Sequence, residues 1–331
     1  MLEGHPVVCV TPSGRRRYMA LLAPHVLASP VVDRWDLWVN TTVPADLAFF
    51  EGLARTDPRV RLVRHPDGAA PCVEALGAFS RLAMDPGTVY VRLDDDVVWA
   101  EPGFFERLAA FRLAHREYFL VMPLILNNAL CSNILQTFGK IVASRPVATV
   151  CLDKVGWRDP DFAVALHRFA QRTIAAGDVG RLHCGPVEIA LNRFSINGIS
   201  WMGEDMAASG GVVGPDEEEE LSAVLPTRLR RRSCFFTDVA CAHFAFYSQR
   251  EVLDETDVLD GYARLAEGRP DLREATARAR ALLAEADALA DGTDWAWPPR
   301  PRGLRARLHR LRKRWTRRKP PRVTLAPGPS F

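Results

Sequence analysis

No two of the seven cysteines in this 331-residue chain stand at C-x-x-C spacing, and their number is odd. That excludes a disulfide frame and a zinc ribbon, and it fits buried free thiols in a reducing compartment. Long apolar runs are missing too. The most apolar stretch, 118–126, is too short to cross a bilayer and runs into Asn127-Asn128. The first ten residues lack the basic start and apolar core of a secretory signal. The expected location is therefore the cytoplasm. Lysine is scarce: Lys140 and Lys154 are the only two in the body, and basic charge comes almost wholly from arginine. No internal repeat is apparent.

What is present is a 48% hydrophobic composition, enough for one large domain with appendages. The net charge of +3 hides an asymmetry. Arg300 to Arg322 holds twelve Arg or Lys and no acid, so the remainder carries about −9. Within that tail Leu304, Leu308, Leu311 and Trp315 recur at helical spacing. A short basic amphipathic helix of this kind suits an anionic membrane surface, here the inner face of the membrane. Nucleic acid is the poorer fit, since no stacking platform or recognisable nucleic-acid module accompanies the arginines.

The chain centres on VYVRLDDDVVW, residues 89–99. A β-forming run follows the turn Asp85-Pro86-Gly87 and ends in Asp94, Asp95 and Asp96. Three adjacent carboxylates repel one another and would raise each other's pKa. A hard divalent cation such as Mg²⁺ relieves that repulsion through oxygen ligands. The alternative is a solvated acidic turn; the apolar residues on both sides favour a half-buried metal site.

Around this stretch the elements alternate. Residues 6–11, 35–40, 60–64 and 89–93 read as strands. Residues 15–28, 44–54, 71–84 and a segment opening at Glu101-Pro102-Gly103 read as helices. The expected fold class is α/β, an open, mainly parallel sheet flanked by helices with a helical C-terminal extension. Ligands then sit at the carboxyl ends of strands. Thr11, Asn40, His65 and Asp94–Asp96 lie at such ends, with Arg92 just before the aspartates and Arg15 in the first strand-to-helix turn. That turn can cradle phosphate through free helix N–H groups. Residues 118–126, 193–202 and 239–247 are further strand candidates. The cluster Asn127, Asn128, Ser132, Asn133 is too polar for a core unless it is hydrogen-bonded. Downstream, GGVVGPDEEEEL opens a helix with acids, which fits either a dipole-stabilised surface helix or a carboxylate placed as general base. His243, in CAHFAF, has an apolar setting that suits a core histidine or a metal ligand.

Taken in order, these elements resemble nucleotide-sugar glycosyltransferases of the GT-A fold, broadly glycosyltransferase family 2, over residues 6–250. The resemblance implies a GT-A-like domain at 1–250, with a nucleotide-sugar-binding half (1–117) and an acceptor half (118–250). A helical extension (251–294) and a Pro/Arg-rich basic tail (295–331) would follow. It implies Mn²⁺ or Mg²⁺ held by Asp94, Asp96 and His243. It also implies a nucleotide-diphosphate sugar contacted by Thr11, Arg15, Asn40, His65, Arg92, Asp94 and Asp95. The acceptor would be a glycan, a lipid-linked or a small molecule, and the anomeric centre would invert. The base falls among Asp216, Glu217 and Glu218, with Glu204-Asp205 a second match that keeps Asp205 in the set. Asp94-Asp95-Asp96-Val97-Val98 also resembles the haloacid-dehalogenase motif, in which Asp94 would be phosphorylated. That motif belongs on a first strand and wants a downstream lysine. A third reading is a non-catalytic nucleotide-binding or membrane-tethering module.

Overall fold

The computed structural model describes residues 1–190, 192–211, 213–290 and 321–326. Nearly all of the basic tail, with the expected membrane helix, lies outside the described residues. Eleven strands are defined among them: β1 Val7–Ser13, β2 Arg34–Val39, β3 Val60–Val63, β4 Val89–Leu93, β5 Val97–Ala100, β6 Val121–Leu126, β7 Ile141–Ala143, β8 Pro186–Ile189, β9 Gly198–Met202, β10 Ser233–His243 and β11 Val323–Leu325. The main sheet has the order β3-β2-β1-β4-β9-β6-β10-β5, with β8 also paired to β10. β3, β2, β1, β4, β6 and β10 run one way; β9, β5 and β8 run the other. This is the expected α/β architecture. β1, β4 and β6 are buried along their whole length, which is why they read as continuous apolar runs rather than alternating ones.

The sequence also explains two of the helix starts. Pro160–Ala175 begins where the Asp159 carboxylate accepts from the N–H groups of Asp161 (2.9 Å) and Phe162 (3.3 Å), with Pro160 in the first turn. Ala129–Thr137 is capped by Asn128, whose side chain accepts from Cys131 N–H at 3.2 Å. Residues 71–84 depart from expectation: they hold a 3₁₀ segment, Leu76–Leu82, instead of an α-helix. Tertiary contact decides this. Gly77 lies so close under the Val213 carbonyl that a Cβ would stand 2.6 Å from its oxygen, and Phe79 stacks on Trp38 at 5.3 Å. The strand expected at 239–247 begins earlier, at Ser233, and ends at His243. Its register breaks between Phe236 and Ala240, where Thr237 and Asp238 bind the backbone of residues 184–185 instead.

The helix Arg273–Asp287 packs on Arg16–Leu27 and Pro44–Thr56. Arg16, fully buried, pairs with Asp46 at 3.0 Å and with Asp287 at 2.8 Å. Residues 273–287 thus cover the outer face of the helices at 16–27 and 44–56. No described helix is long and apolar enough to cross a membrane.

Candidate active site

In this sheet β1 is followed by a helix leading to β2 on one side, while β4 lies on the other. The order therefore reverses between β1 and β4, and the crevice outside their carboxyl ends is where ligands bind in open α/β sheets. Gly14-Arg15 leaves β1 there and Asp94–Asp96 leaves β4 there. The two loops touch. Asp95 accepts from Gly14 N–H at 2.9 Å and from Arg15 Nε at 2.9 Å. A Cβ on Gly14 would meet the Asn40 carbonyl oxygen at 3.2 Å, so this close approach favours glycine. The expectation of free N–H groups at this turn is corrected: Gly14 N–H goes to Asp95 and Arg16 N–H to Asp46.

Asp96 is the most enclosed of the three carboxylates, at 2% exposure. Oδ2 takes Arg250 Nη2 at 2.7 Å and Arg15 Nη1 at 3.2 Å; Oδ1 faces His243 Nε2 at 3.3 Å. Burial alone would raise the Asp96 pKa, but Arg15, His243 and Arg250 outweigh it and hold the carboxyl far below its ordinary range. Burial likewise opposes the charge on Arg15, and Asp95 with Asp96 overcomes it, so the guanidinium stays protonated. The repulsion read from the sequence is thus relieved in large part by arginines. Arg250 is not legible from the sequence as a partner of Asp96, because a lone arginine in a helical stretch carries no local signal.

His243 is aimed by its neighbours. Its Nδ1 lies 3.3 Å from the Asn127 carbonyl oxygen, which can only accept, so Nδ1 bears the proton. Asn127 ends β6 in the left-handed region at φ +66°, a conformation asparagine tolerates and one that turns this carbonyl toward the ring. Asn127 Nδ2 in turn binds the Phe244 carbonyl at 2.9 Å and Gln249 Oε1 at 3.0 Å. The expectation that the 127–133 cluster is hydrogen-bonded core is met here. Buried His167 also donates to the Phe244 carbonyl, at 2.7 Å.

With Nδ1 protonated, Nε2 faces a carboxylate oxygen, and a proton or a cation must join them. Two cis ligands of an octahedral Mg²⁺, each at about 2.1 Å, stand about 3 Å apart. The 3.3 Å separation of Nε2 and Oδ1 suits that, and the carbonyl behind the ring is the support a ligating histidine ordinarily has. Asp96 and His243 therefore fit a divalent ion. Asp94 does not join them as a ligand. Its Oδ1 pairs with Arg92 Nη2 at 3.3 Å and its Oδ2 accepts from Asn197 Nδ2 at 3.2 Å. Among the described residues no group of three or more His, Cys, Asp or Glu is gathered for a metal. Three buried polar atoms of this cluster lack a partner: Arg92 Nε, Asn127 Oδ1 and Arg250 Nε. Such concentration of unsatisfied groups marks a place built for something else to bind.

The acidic helix start reaches the cluster through Arg92, whose Nη1 binds Glu217 Oε1 at 2.5 Å. Both are buried. Glu218 is more open, at 24% exposure of its side chain; its Oε1 accepts from Arg193 Nε at 3.0 Å and from the Cys151 thiol at 3.2 Å. Burial and the Glu218 carboxylate push that thiol up to about 12, so it remains an S–H donor. Asp216 caps the helix through Glu219 N–H at 3.0 Å and pairs with Arg193.

Three expected residues are engaged otherwise. Asp205 follows β9, which runs antiparallel to β4, so it sits at the opposite edge of the sheet, paired with Arg231. Thr11 is fully buried and its hydroxyl accepts from Trp35 Nε1 at 3.0 Å, bracing β1 against β2. His65 uses both ring nitrogens on its own loop: Nδ1 accepts from Asp67 and Ala69 N–H, and Nε2 donates to the Ala75 carbonyl. Asn40 stays at the crevice edge, its N–H on the Ser13 carbonyl at 2.8 Å. Asn197, not anticipated, holds Asp94 by both backbone and side chain.

No family model and no curated protein matches the chain. Among solved structures, it is similar to glucosyl-3-phosphoglycerate synthase from Mycobacterium tuberculosis in complex with Mn²⁺, UDP-Glc and phosphoglyceric acid. Identity there is 14%, over 79% of this chain and 80% of that one, with a TM-score of 0.43. It is also similar to GalNAc-T7 with UDP, GalNAc and Mn²⁺, at 12% identity over 91% of this chain and 59% of that one, TM-score 0.43. A third is 4-diphosphocytidyl-2C-methyl-D-erythritol synthase from Anaerococcus prevotii, at 14% identity and TM-score 0.28 over 37% of this chain. The chain spans 56% of that enzyme's length.

Proposed function

We propose that this chain is a metal-dependent glycosyltransferase of the GT-A type, moving a sugar from a nucleotide-diphosphate donor to an acceptor hydroxyl. The observation that carries the reading is the buried Asp96 carboxylate at the β1/β4 reversal, with one oxygen facing His243 Nε2. Mn²⁺ or Mg²⁺ held by Asp96 and His243 would leave most positions to water and phosphate oxygens, and supplies Lewis-acid relief of the charge that builds on a departing diphosphate.

The chain's own groups do the rest. Arg15 and Arg250 keep Asp96 ionised and fix its orientation. Asp94, held by Arg92 and Asn197, presents a half-buried carboxylate to the crevice as a hydrogen-bond acceptor for the donor. Glu218 is the base. Glu217 is buried and neutralised by Arg92, whereas Glu218 is open enough to meet an acceptor hydroxyl and take its proton. Attack opposite the leaving diphosphate inverts the anomeric centre without a covalent intermediate. A glycan, a lipid-linked or a small-molecule hydroxyl can each serve such a base.

A thermal-shift series with nucleoside diphosphates, with and without Mn²⁺, tests the reading. One nucleotide should raise the melting temperature in a metal-dependent way. Indifference to every nucleotide and metal pair would sink it.

A further inference from the structure

We propose that Tyr247 and the loop 147–158 form an acceptor subsite for a pyranoside, whose C–H face stacks on the Tyr247 ring. This rests on the glycosyltransferase reading above and names the acceptor class for it. Tyr247 is 72% exposed, although the strand before it is buried over its last five residues. It stands in sequence between His243 and Arg250, both of which contact Asp96, and the ring of its neighbour Phe246 lies 4.7 Å from His243.

The ring is fixed in place. Trp157, itself buried, meets it edge-to-face at 5.0 Å and 83°. Ser248 Oγ donates to the Trp157 carbonyl at 2.7 Å, tying the loop to the start of the helix Tyr247–Leu253. The loop is pre-shaped by one buried carboxylate: Asp153 accepts from Val155 and Gly156 N–H, both at 2.7 Å, and from Ala148 N–H at 3.3 Å. A T-shaped contact with Trp157 leaves ring face for a ligand, and little ordering remains to oppose binding.

The same loop reaches the base. Val150 and Leu152 are 54% and 51% exposed, and Cys151 between them turns inward to donate to Glu218 Oε1. Apolar side chains thus flank the one thiol that touches the proposed base. Single exposed apolar residues need no explanation, but three on one pre-shaped frame, which also carries the thiol that touches Glu218, do. A pyranose supplies what the arrangement lacks. Its C–H face complements the negative face of an aromatic ring, and its hydroxyl edge can meet Glu218. Thr149 and Lys154, on either side of the Val150–Leu152 segment, are also exposed, and this mixed polarity suits an amphipathic sugar better than an acyl chain.

Saturation-transfer NMR on the full chain tests this with methyl glucoside, methyl mannoside and methyl rhamnoside, each compared with its octyl glycoside. At least one methyl glycoside should receive saturation on its ring C–H protons. Tyr247→Phe should keep that signal, and Tyr247→Ala should weaken binding about fivefold. Leu152→Ser provides a second variant, at a surface position, with a loss in the same direction. Binding untouched by Tyr247→Ala, or no methyl glycoside bound, overturns the proposal. A response confined to octyl glycosides overturns it in favour of an apolar aglycone. Nucleotide and Mn²⁺ binding by the unaltered chain, measured in the same samples, shows separately whether the underlying reading has failed.

Discussion

At the carboxyl edge of β4, Asp96 is 2% exposed and shared by His243, Arg15 and Arg250; beyond the amino edge of the same strand, Glu204 is 41% exposed and meets Arg116 at 2.7 Å. Both edges carry acids and arginines, and both looked like an acidic motif after a strand. Burial separates them. The Glu204 pair is more than a third exposed on both sides, as surface pairs are. The Asp96 carboxylate is buried and shared by three partners, and its cluster leaves Arg92 Nε, Asn127 Oδ1 and Arg250 Nε without partners. The amino edge has an unpartnered buried oxygen too, Asp205 Oδ2, so what sets the edges apart is the burial of the Asp96 carboxylate among His243, Arg15 and Arg250.

Exchanging acids between the edges gives the widest difference in turnover. Glu218→Gln should lower kcat by about 10² to 10⁴, the range for losing a general base. Asp205→Asn should leave kcat where it was, because Asp205 stands at the far edge with Arg231. Steady-state kinetics with the donor found by thermal shift decides. The reverse ranking would move the base to the other edge and undo the comparison.

Asp96→Ala should cost about 3–5 kcal/mol in denaturant unfolding, since it strands buried His243 and the guanidinium groups around it. The same variant should also lose metal affinity by about 100-fold or more, measured by titration with Mn²⁺. A loss below about 1 kcal/mol would show the carboxylate to be as dispensable as a surface acid.

How much of this contrast was legible beforehand depends on range. The strand, turn and aspartates of 89–96 could be read because the signal is local: β-formers, then Pro-Gly before them and carboxylates after. The carboxyl-edge positions of Asn40 and Asp94–Asp96 followed from strand alternation. His243 as partner of Asp96 came through the resemblance. Which of Asp216, Glu217 and Glu218 is buried against Arg92 and which stays more open beside Cys151 could not be read, because those partners come from distant segments. Asp205 stayed in the set because a motif gives no strand direction, and β9 happens to run against β4. Residues 71–84 keep a helical spacing of apolar side chains, yet the carbonyl over Gly77 imposes a tighter segment.

Just behind the carboxyl edge, His167 gives a graded test through pH. It is fully buried, with Nε2 on the Phe244 carbonyl and Nδ1 on the Tyr262 hydroxyl, and burial lowers its pKa to about 4. The unfolded chain binds that proton near pH 6.5, so the contribution is whole above pH 6.5 and is lost as pH falls toward 4. The loss amounts to roughly 3 kcal/mol. Unfolding free energies from pH 7 to 4 should decline less steeply in His167→Gln than in the unaltered chain. Equal slopes would mean that the histidine is hydrated and outside the packed support of the site.

The amino edge should respond least. Arg116→Ala removes the partner of Glu204 Oε1, but both side chains are more than a third exposed and water replaces the lost contact. Glu204 Oε2 keeps the Gly87 N–H at 3.0 Å, so the turn before β4 stays tied to β9. Burial would raise the Glu204 pKa, and the backbone N–H groups and Arg116 bring it below its usual value; the part owed to Arg116 should be screened by salt. Chemical denaturation should therefore show a loss of less than about 1 kcal/mol, shrinking further as ionic strength rises. A loss as large as that of Asp96→Ala would mean that the pair carries buried charge after all, and that exposure does not distinguish the two edges.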